Sequence, residues 1–377
     1  MPILPPSTLG ILGGGQLGRM FVIAARTMGY EVIVLDPDPA SPAGSMATEH
    51  LNTHYNDESA LEYLASHCAV VTTEFENIPV FALEYLSRHV AVFPSAKSLA
   101  TTQNRIKEKN FIQSLGLTTS PFIALQSESD LENLQAMSYP AILKTATLGY
   151  DGKGQVVCNN AGDVIRAFKQ MQVACVLEQK ISLEKEVSVV LSRNQQGECF
   201  CFPVVENQHV DGILDASMAP ARISSELHDK ALQAAQQIAD GLDYCGVLAV
   251  EFFISTSAEL LVNEIAPRPH NSGHFTLDAC YSSQFEQQLR MICGLASASC
   301  EQHTAVAMLN LLGDSWPENG EPAWDELLQI EQASLHLYGK KQPRSGRKMG
   351  HINFLANDLE QAINNLELGR ACLEPAS

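Results

Sequence analysis

The sequence predicts an α/β protein of several domains, opening with a doubly wound parallel unit, and three observations carry that expectation. Short apolar runs alternate with helix-like stretches through residues 1–100. A glycine turn containing Gly13, Gly15 and Gly18 lies between the first run and the first helical stretch. Farther on, GVLAVEFFIS (246–255) and LLVNEIA (260–266), both apolar and rich in β-branched residues, flank the polar turn Thr256-Ser257-Ala258-Glu259.

In the first unit the strands are TLGILG, YEVIVLD, CAVVTTEF and HVAVFP, and GQLGRMFVIAARTMG is the first helix. Parallel sheets covered on both faces produce such near-continuous apolar strands. The turn reads as GxGxxG, and Asp36 closes the second strand. A dinucleotide is one reading; the physics supports any phosphate at a helix N-terminus, and a tight turn needed only for packing also fits.

From residue 104 the pattern changes. NRIKEKNFIQSLG (104–116) is an amphipathic helix stopped by Gly116, and a second α/β unit follows. Its strand YPAILKTA carries one lysine, Lys144, which either snorkels or meets a phosphate. LGYDGKGQVVCN then reads as a hairpin tip or as a flap whose amides and Lys153 close over phosphates; it lacks the P-loop spacing. ACVLEQKI, EVSVVLSR and CFCFPVVEN are further strands, DKALQAAQQIADGLDY and QFEQQLRMICG are helices, and the last 80 residues or so form a short α/β tail.

Composition narrows the chemistry. The 377 residues are 45% hydrophobic with a net charge of −19. That balance argues against nucleic acid and anionic membranes as partners, because both reward a basic surface. The local exception is Lys340, Lys341, Arg344, Arg347 and Lys348, in a chain with 24 Lys and Arg in all; it reads as a solvated loop or as an anion-binding cluster. The 10 cysteines are scattered without a CxxC pair, and no apolar run approaches 18 residues. A reducing, cytoplasmic compartment is the expectation.

The hairpin holds the sharpest chemistry. A turn centred between Ser257 and Ala258 places Glu251 opposite Glu264, with β-carbons about 4.5–5.5 Å apart, where like charges repel. Either both acids face water, or a cation lies between them; hard carboxylate oxygens suit Mg²⁺ carrying nucleotide phosphates. Arg268, His270, Asn271 and His274 follow, kept out of helix by Pro267 and Pro269.

In this order, a phosphate turn, a strand lysine, a glycine flap, a paired acid on a strand end and a two-carboxylate hairpin resemble the ATP-grasp superfamily. GGGQLGRM, TEFENI, GYDGKGQ, HVDGIL, NEIAPRPHNSGH and GRKMGHIN are similar to the 5-(carboxyamino)imidazole ribonucleotide synthases of purine biosynthesis, from residue 9 to about 355. The resemblance implies a Rossmann-like pre-ATP-grasp domain (1–105), a mobile α/β lid (106–182), a mixed-sheet catalytic subdomain (183–310) and a small C-terminal domain (311–377). It also implies a homodimer, ATP as co-substrate, Mg²⁺, and carboxylation of aminoimidazole ribonucleotide by bicarbonate through carboxyphosphate, without biotin.

Site residues follow from the same likeness. Arg105, Lys144 and Lys153 would neutralise the ATP phosphates under the flap Gly149, Tyr150, Asp151, Gly152, Gly154 and Gln155. Glu178, Gln179, Lys180 and Ile181 would form the strand edge that reads adenine, Glu186 would take the ribose hydroxyls, and His209 and Asn263 would line the nucleotide. Glu251 and Glu264 would hold Mg²⁺. The ribonucleotide would take its phosphate on the turn Gly15, Gln16, Leu17 and Gly18 and on Lys340 and Arg347, with Tyr150, Asp151 and Glu76 nearby. Arg268, His270 and Asn271 would surround carboxyphosphate, and Asp151 or His270 would manage the proton of the attacking amine. One departure stands out: Glu206 occupies a position where this family commonly has histidine, and no role is assigned to it.

A formate-dependent glycinamide ribonucleotide transformylase or a biotin carboxylase would share the metal hairpin and flap but differ in the acceptor-side motifs. A dehydrogenase would leave Lys144, the flap and the acid pair unexplained.

Overall fold

The computed structural model describes residues 1–149, 153–317 and 320–373. Tyr150, Asp151 and Gly152 lie outside the described residues.

The first layer is β1 (Thr8–Leu12), α1 (Gln16–Thr27), β2 (Glu31–Leu35), β3 (Glu49–Leu51), α2 (Glu58–His67), β4 (Val70–Thr73), α3 (Val80–Leu86) and β5 (Ala91–Phe93). Its five strands are all parallel, in the order β3-β2-β1-β4-β5. The doubly wound reading of the N-terminus is therefore correct. In this arrangement the crevice lies beyond the carboxyl ends of β1 and β4.

Two helices leave this layer, α4 (Ala96–Thr102) and α5 (Arg105–Ser114). Asn104 starts α5 by accepting the amides of Ile106 and Lys107, two donors that the helix cannot satisfy itself. A four-stranded antiparallel sheet follows, built from β6 (Phe122–Leu125), β7 (Ala141–Thr145), β8 (Gln155–Cys158) and β9 (Cys175–Gln179), ordered β6-β9-β7-β8. Helix α6 (Ala161–Met171) buries Val164, Ala167 and Phe168 against it.

The third layer is a nine-stranded sheet of β10 (Leu183–Arg193), β11 (Cys199–Cys201), β12 (Val205–Val210), β13 (Ile213–Ala219), α7 (Ser225–Gly241) on its face, β14 (Gly246–Ser255) and β15 (Leu260–Ala266), then α8 (Thr276–Ala279), α9 (Gln284–Ile292), β16 (Ala305–Leu312), α10 (Trp324–Leu327), β17 (Ala333–Leu337), β18 (Lys348–Ala356) and α11 (Leu359–Leu373). The path runs β15-β14-β10-β12-β13-β16-β18-β17, with β11 on β10. Its ladders are antiparallel, and one parallel bridge, Thr119–Val262, adds a mixed element at the edge. Residue 310, the division expected before the C-terminal segment, falls inside β16, which hydrogen-bonds to both β13 and β18.

Packing then brings the layers to one place. Phe285, Leu289 and Ile292 of α9 share a core with Leu17, Met20 and Phe21 of α1, so the loop from β15 to α9 crosses in front of the first sheet. That loop carries Arg268, His270 and Asn271.

Candidate active site

Glu251 and Glu264 are direct cross-strand partners, as expected, but the route differs from the expected one. Near the turn the register pairs Phe252 with Val262 and Phe253 with Leu261. That register alone would put Asn263 opposite Glu251. A bulge between Glu251 and Phe252 leaves Asn263 as the extra residue and restores the acid pair.

The two acids have different electrostatics. Burial raises both; for Glu264 the Arg105 guanidinium dominates and holds it below the usual carboxylate range. Burial and the charge of Glu264 push Glu251 up to about 7. Arg105 Nη1 lies 2.9 Å from Glu264 Oε2, and its Nη2 donates to Gly149 O at 3.3 Å. Two facing carboxylates, one with its acidity suppressed by the other, are a donor set that fits a hard divalent cation.

A cavity of about 310 Å³ surrounds this pair and is lined by Arg105, Lys144, Gly149, Lys153, Gly154, Gln155, Glu186, His209, Asn263, Arg268, His270, Asn271 and Lys348. Most of the expected nucleotide residues therefore meet there. His209 Nδ1 lies 2.6 Å from Glu186 Oε2; burial opposes its protonation, but Glu186 and Glu251 outweigh burial and raise its basicity.

The expected adenine edge behaves differently. Glu178 and Ile142 face each other across β9 and β7, and Lys144 is the diagonal neighbour on the same face. The buried Glu178 carboxylate accordingly meets Lys144 Nζ at 3.1 Å and the buried Lys109 Nζ at 3.3 Å. Glu178 thus orients the strand lysine, and neither its side chain nor Gln179, Lys180 or Ile181 lines the two cavities that meet here. Lys109 was missed because a lysine in an amphipathic helix reads as surface.

A second cavity, about 720 Å³, adjoins the first and is lined by Gly15, Gln16, Leu17, Glu74, Glu76, Lys153, Arg268, His270, Asn271, Lys340, Arg347 and Lys348, among others. It brings the glycine turn and the C-terminal basic loop together as expected: Lys340 Nζ donates to Gln16 Oε1 at 2.8 Å. The turn itself needs correction. Gly15 N–H and Gly18 N–H donate to the two oxygens of the buried Glu74 at 2.8 and 3.2 Å, and Gly14 N–H donates to Asp36 Oδ2 at 2.8 Å. A carboxylate of the protein already occupies this helix N-terminus and commits the amides of Gly15 and Gly18. Asp36 also accepts from Tyr55 Oη at 2.7 Å, which commits the residue a dinucleotide site would turn to a ribose. Gly14 has no room for a side chain, since a Cβ there would stand 2.0 Å from Ser41 Oγ.

Glu76 lies beside both cavities, yet its carboxylate is engaged: Arg268 Nε and Nη2 donate to Glu76 Oε2 at 3.0 and 2.7 Å. It orients the arginine's guanidinium while facing the second cavity. The loop backbone is clamped by the buried Gln284, whose Oε1 accepts His270 N–H at 2.9 Å and whose Nε2 donates to His270 O at 2.8 Å. Lys348, seen in sequence only as part of a charge cluster, lines both cavities; its place at the start of β18 was the available signal. His274 instead stacks in the core against His351 at a 4.6 Å ring separation.

Glu206, the departure from the family pattern, is a structural anion. It is buried, accepts Lys185 Nζ at 3.1 Å and Arg222 Nε at 3.0 Å, and is held below the usual carboxylate range by those partners, Arg222 most, against the effect of burial. A folded value below the ordinary 4.5 means its stabilisation is present above that pH and is lost as the pH falls through the folded value. Glu206→Gln is expected to lower stability by about 1–2 kcal/mol at pH 7, discounted for the half-exposed Arg222. Thermal melts of both proteins should differ at pH 7 and converge at acid pH below 4.5.

The three-layer fold, the acid pair on a hairpin and the lysine-bearing antiparallel sheet define an ATP-grasp enzyme. The ATP-grasp domain model matches residues 110–285, the ribonucleotide synthetase preATP-grasp domain 7–103, and the phosphoribosylaminoimidazole carboxylase C-terminal domain 306–365. The N5-carboxyaminoimidazole ribonucleotide synthase of Bacillus subtilis (strain 168) is 42% identical over 366 residues, 97% of this chain and 95% of that one. The ADP-complexed N5-carboxyaminoimidazole synthetase of Staphylococcus aureus superposes with TM-score 0.91 at 36% identity, covering 99% of this chain and 98% of that chain. An Aspergillus clavatus N5-carboxyaminoimidazole synthase, solved with ADP and 5-aminoimidazole ribonucleotide, gives 0.89 at 31%, covering 98% and 99%. The chain belongs to the N5-carboxyaminoimidazole ribonucleotide synthase family.

Proposed function

We propose that this chain couples ATP cleavage to carboxylation of 5-aminoimidazole ribonucleotide by bicarbonate, yielding N5-carboxyaminoimidazole ribonucleotide, ADP and phosphate through carboxyphosphate. The observation that carries the proposal is the shared wall of the two cavities: Glu76, Lys153, Arg268, His270, Asn271 and Lys348 line both. An activated carboxylate made on one side therefore reaches the amine on the other without crossing bulk water, which would destroy it.

Arg105, Lys144 and Lys153 carry the charge that ATP phosphates need, and Arg268, its fork oriented by Glu76, supplies paired donors to a planar oxyanion. Glu251 and Glu264 would hold Mg²⁺, which when bound neutralises charge on the transferring phosphoryl group. On the ribonucleotide side, Gln16 and Leu17 amides with Lys340 and Arg347 form the phosphate cradle. Asp151 stays a candidate for the amine's proton, on the family likeness. Divisions near 105 and 182, a homodimer and a cytoplasmic setting are proposed on that likeness too; sedimentation of the purified protein tests the dimer.

The assay is phosphate release from MgATP, with and without bicarbonate and aminoimidazole ribonucleotide. Release is expected to require both co-substrates for full rate. Turnover with glycinamide ribonucleotide and formate in their place would overturn the assignment.

A further inference from the structure

Beneath the loop of Arg268 to Asn271, the nine-stranded sheet buries a line of small polar side chains that the reaction itself does not use. Ser188 of β10 pairs across the sheet with Glu251, and Asn207 of β12 pairs with Ser217 of β13. All three, with Ser272, are buried. Ser217 Oγ donates to Asn207 Oδ1 at 2.8 Å, and Asn207 Nδ2 donates to Ser188 Oγ at 3.0 Å. Ser188 Oγ in turn donates to Ser272 Oγ at 2.7 Å, which lies 2.9 Å from His270 Nδ1. On the far side of the ring, His270 Nε2 faces Glu251 Oε1 at 3.3 Å.

The direction of this chain is set at its end. The backbone N–H of Ser272 points at His270 Nδ1 at 3.3 Å, and an amide can only donate. Nδ1 is therefore the unprotonated nitrogen, so the Ser272 hydroxyl donates to it and must accept from Ser188. Ser188 then accepts from the Asn207 amide, leaving Asn207 Oδ1 to accept from Ser217. One assignment satisfies every link. Four buried polar side chains, three in the sheet and one in the loop above it, cost stability unless fully partnered, and apolar residues would pack the same space more cheaply.

We propose that Ser217, Asn207, Ser188 and Ser272 are positioning residues that lock His270 in the tautomer with its proton on Nε2. In that tautomer His270 turns its Nε2–H toward Glu251 Oε1 at the cavity wall, and it does not accept the amine's proton at that atom. The amine's identity rests on the function proposed above; the tautomer does not.

The test is a multiple-bond ¹H–¹⁵N spectrum of the histidine side chains in the full-length, ¹⁵N-labelled protein, with His270→Asn to assign the ring. The wild type is expected to show His270 protonated at Nε2 and bare at Nδ1. Ser188→Ala is expected to mix the two tautomers and to lower kcat by about 10-fold, as loss of such outer partners does, with the KM for ATP unchanged. A wild-type ring protonated at Nδ1, or Ser188→Ala with the tautomer and kcat of the wild type, overturns the proposal. The wild-type spectrum decides even where a variant fails to fold. Absence of aminoimidazole-dependent phosphate release would sink the substrate reading and leave the tautomer standing.

Discussion

Glu264→Gln is expected to abolish turnover, a fall of at least about 10³-fold in kcat, or roughly 4 kcal/mol of transition-state stabilisation. The substitution keeps the shape of the side chain and removes the carboxylate that Arg105 holds below the usual range against the effect of burial. A divalent ion then loses half of its protein charge, and Arg105 loses the partner 2.9 Å away that aims it across the phosphate site. Stability should change little. Relief of repulsion with Glu251 offsets part of the lost ion pair, and the buried Glu108, pushed up to about 8 by burial and by Glu264, ionises more readily beside Arg105 once Glu264 is gone. The measurement is MgATP-dependent phosphate release alongside a thermal melt. An active, folded variant would remove the metal role from this hairpin.

Arg268→Lys should lower bicarbonate-dependent turnover by about 10²-fold while leaving the KM for ATP near its original value. Charge is conserved in this change; geometry is not. The guanidinium donates twice to Glu76 and once to Pro269 O, a fixed fork that leaves it aimed along the wall between the cavities. An ammonium makes one of these contacts at a time and moves with its stem. Lys144 and Arg105 line the first cavity and not the second, away from the shared wall, so the KM for ATP is expected to be spared. Steady-state kinetics with each substrate varied in turn gives the comparison; an unaltered rate would mean that positive charge alone suffices at this position.

Much of the site could be read along the chain because its signals are local. Alternation within GVLAVEFFIS and LLVNEIA exposed the hairpin, and counting from its turn matched Glu251 with Glu264. The count succeeded through a bulge at Asn263 that no periodicity reveals, since it compensates for a turn set half a residue away from the assumed centre. Lys144 was found for a similar reason, as one charge in an apolar strand. Lys109, which shares Glu178 with it, was not, because a helix that packs on two sheets buries a face that a helix on one sheet would leave wet.

The glycine turn marks the limit. Its spacing established a helix N-terminus ready for an anion, and could not say which anion arrives there. Glu74 takes the amides of Gly15 and Gly18 from 59 and 56 residues away, and Arg268 reaches Glu76 across 192. The chain of Ser217, Asn207, Ser188 and Ser272 likewise joins three strands and a loop.

What the linear order of residues established was the class of fold, the acid pair, the strand lysine and the loop that carries Arg268 and His270. Those features follow from side-chain periods of two and 3.6 and from turn chemistry, which act between near neighbours. Which donors are already satisfied, and where the two cavities share a wall, were settled only when the sheets packed. Hydrogen bonds and ion pairs between distant segments depend on register and layer contact, and those are properties of the assembled core.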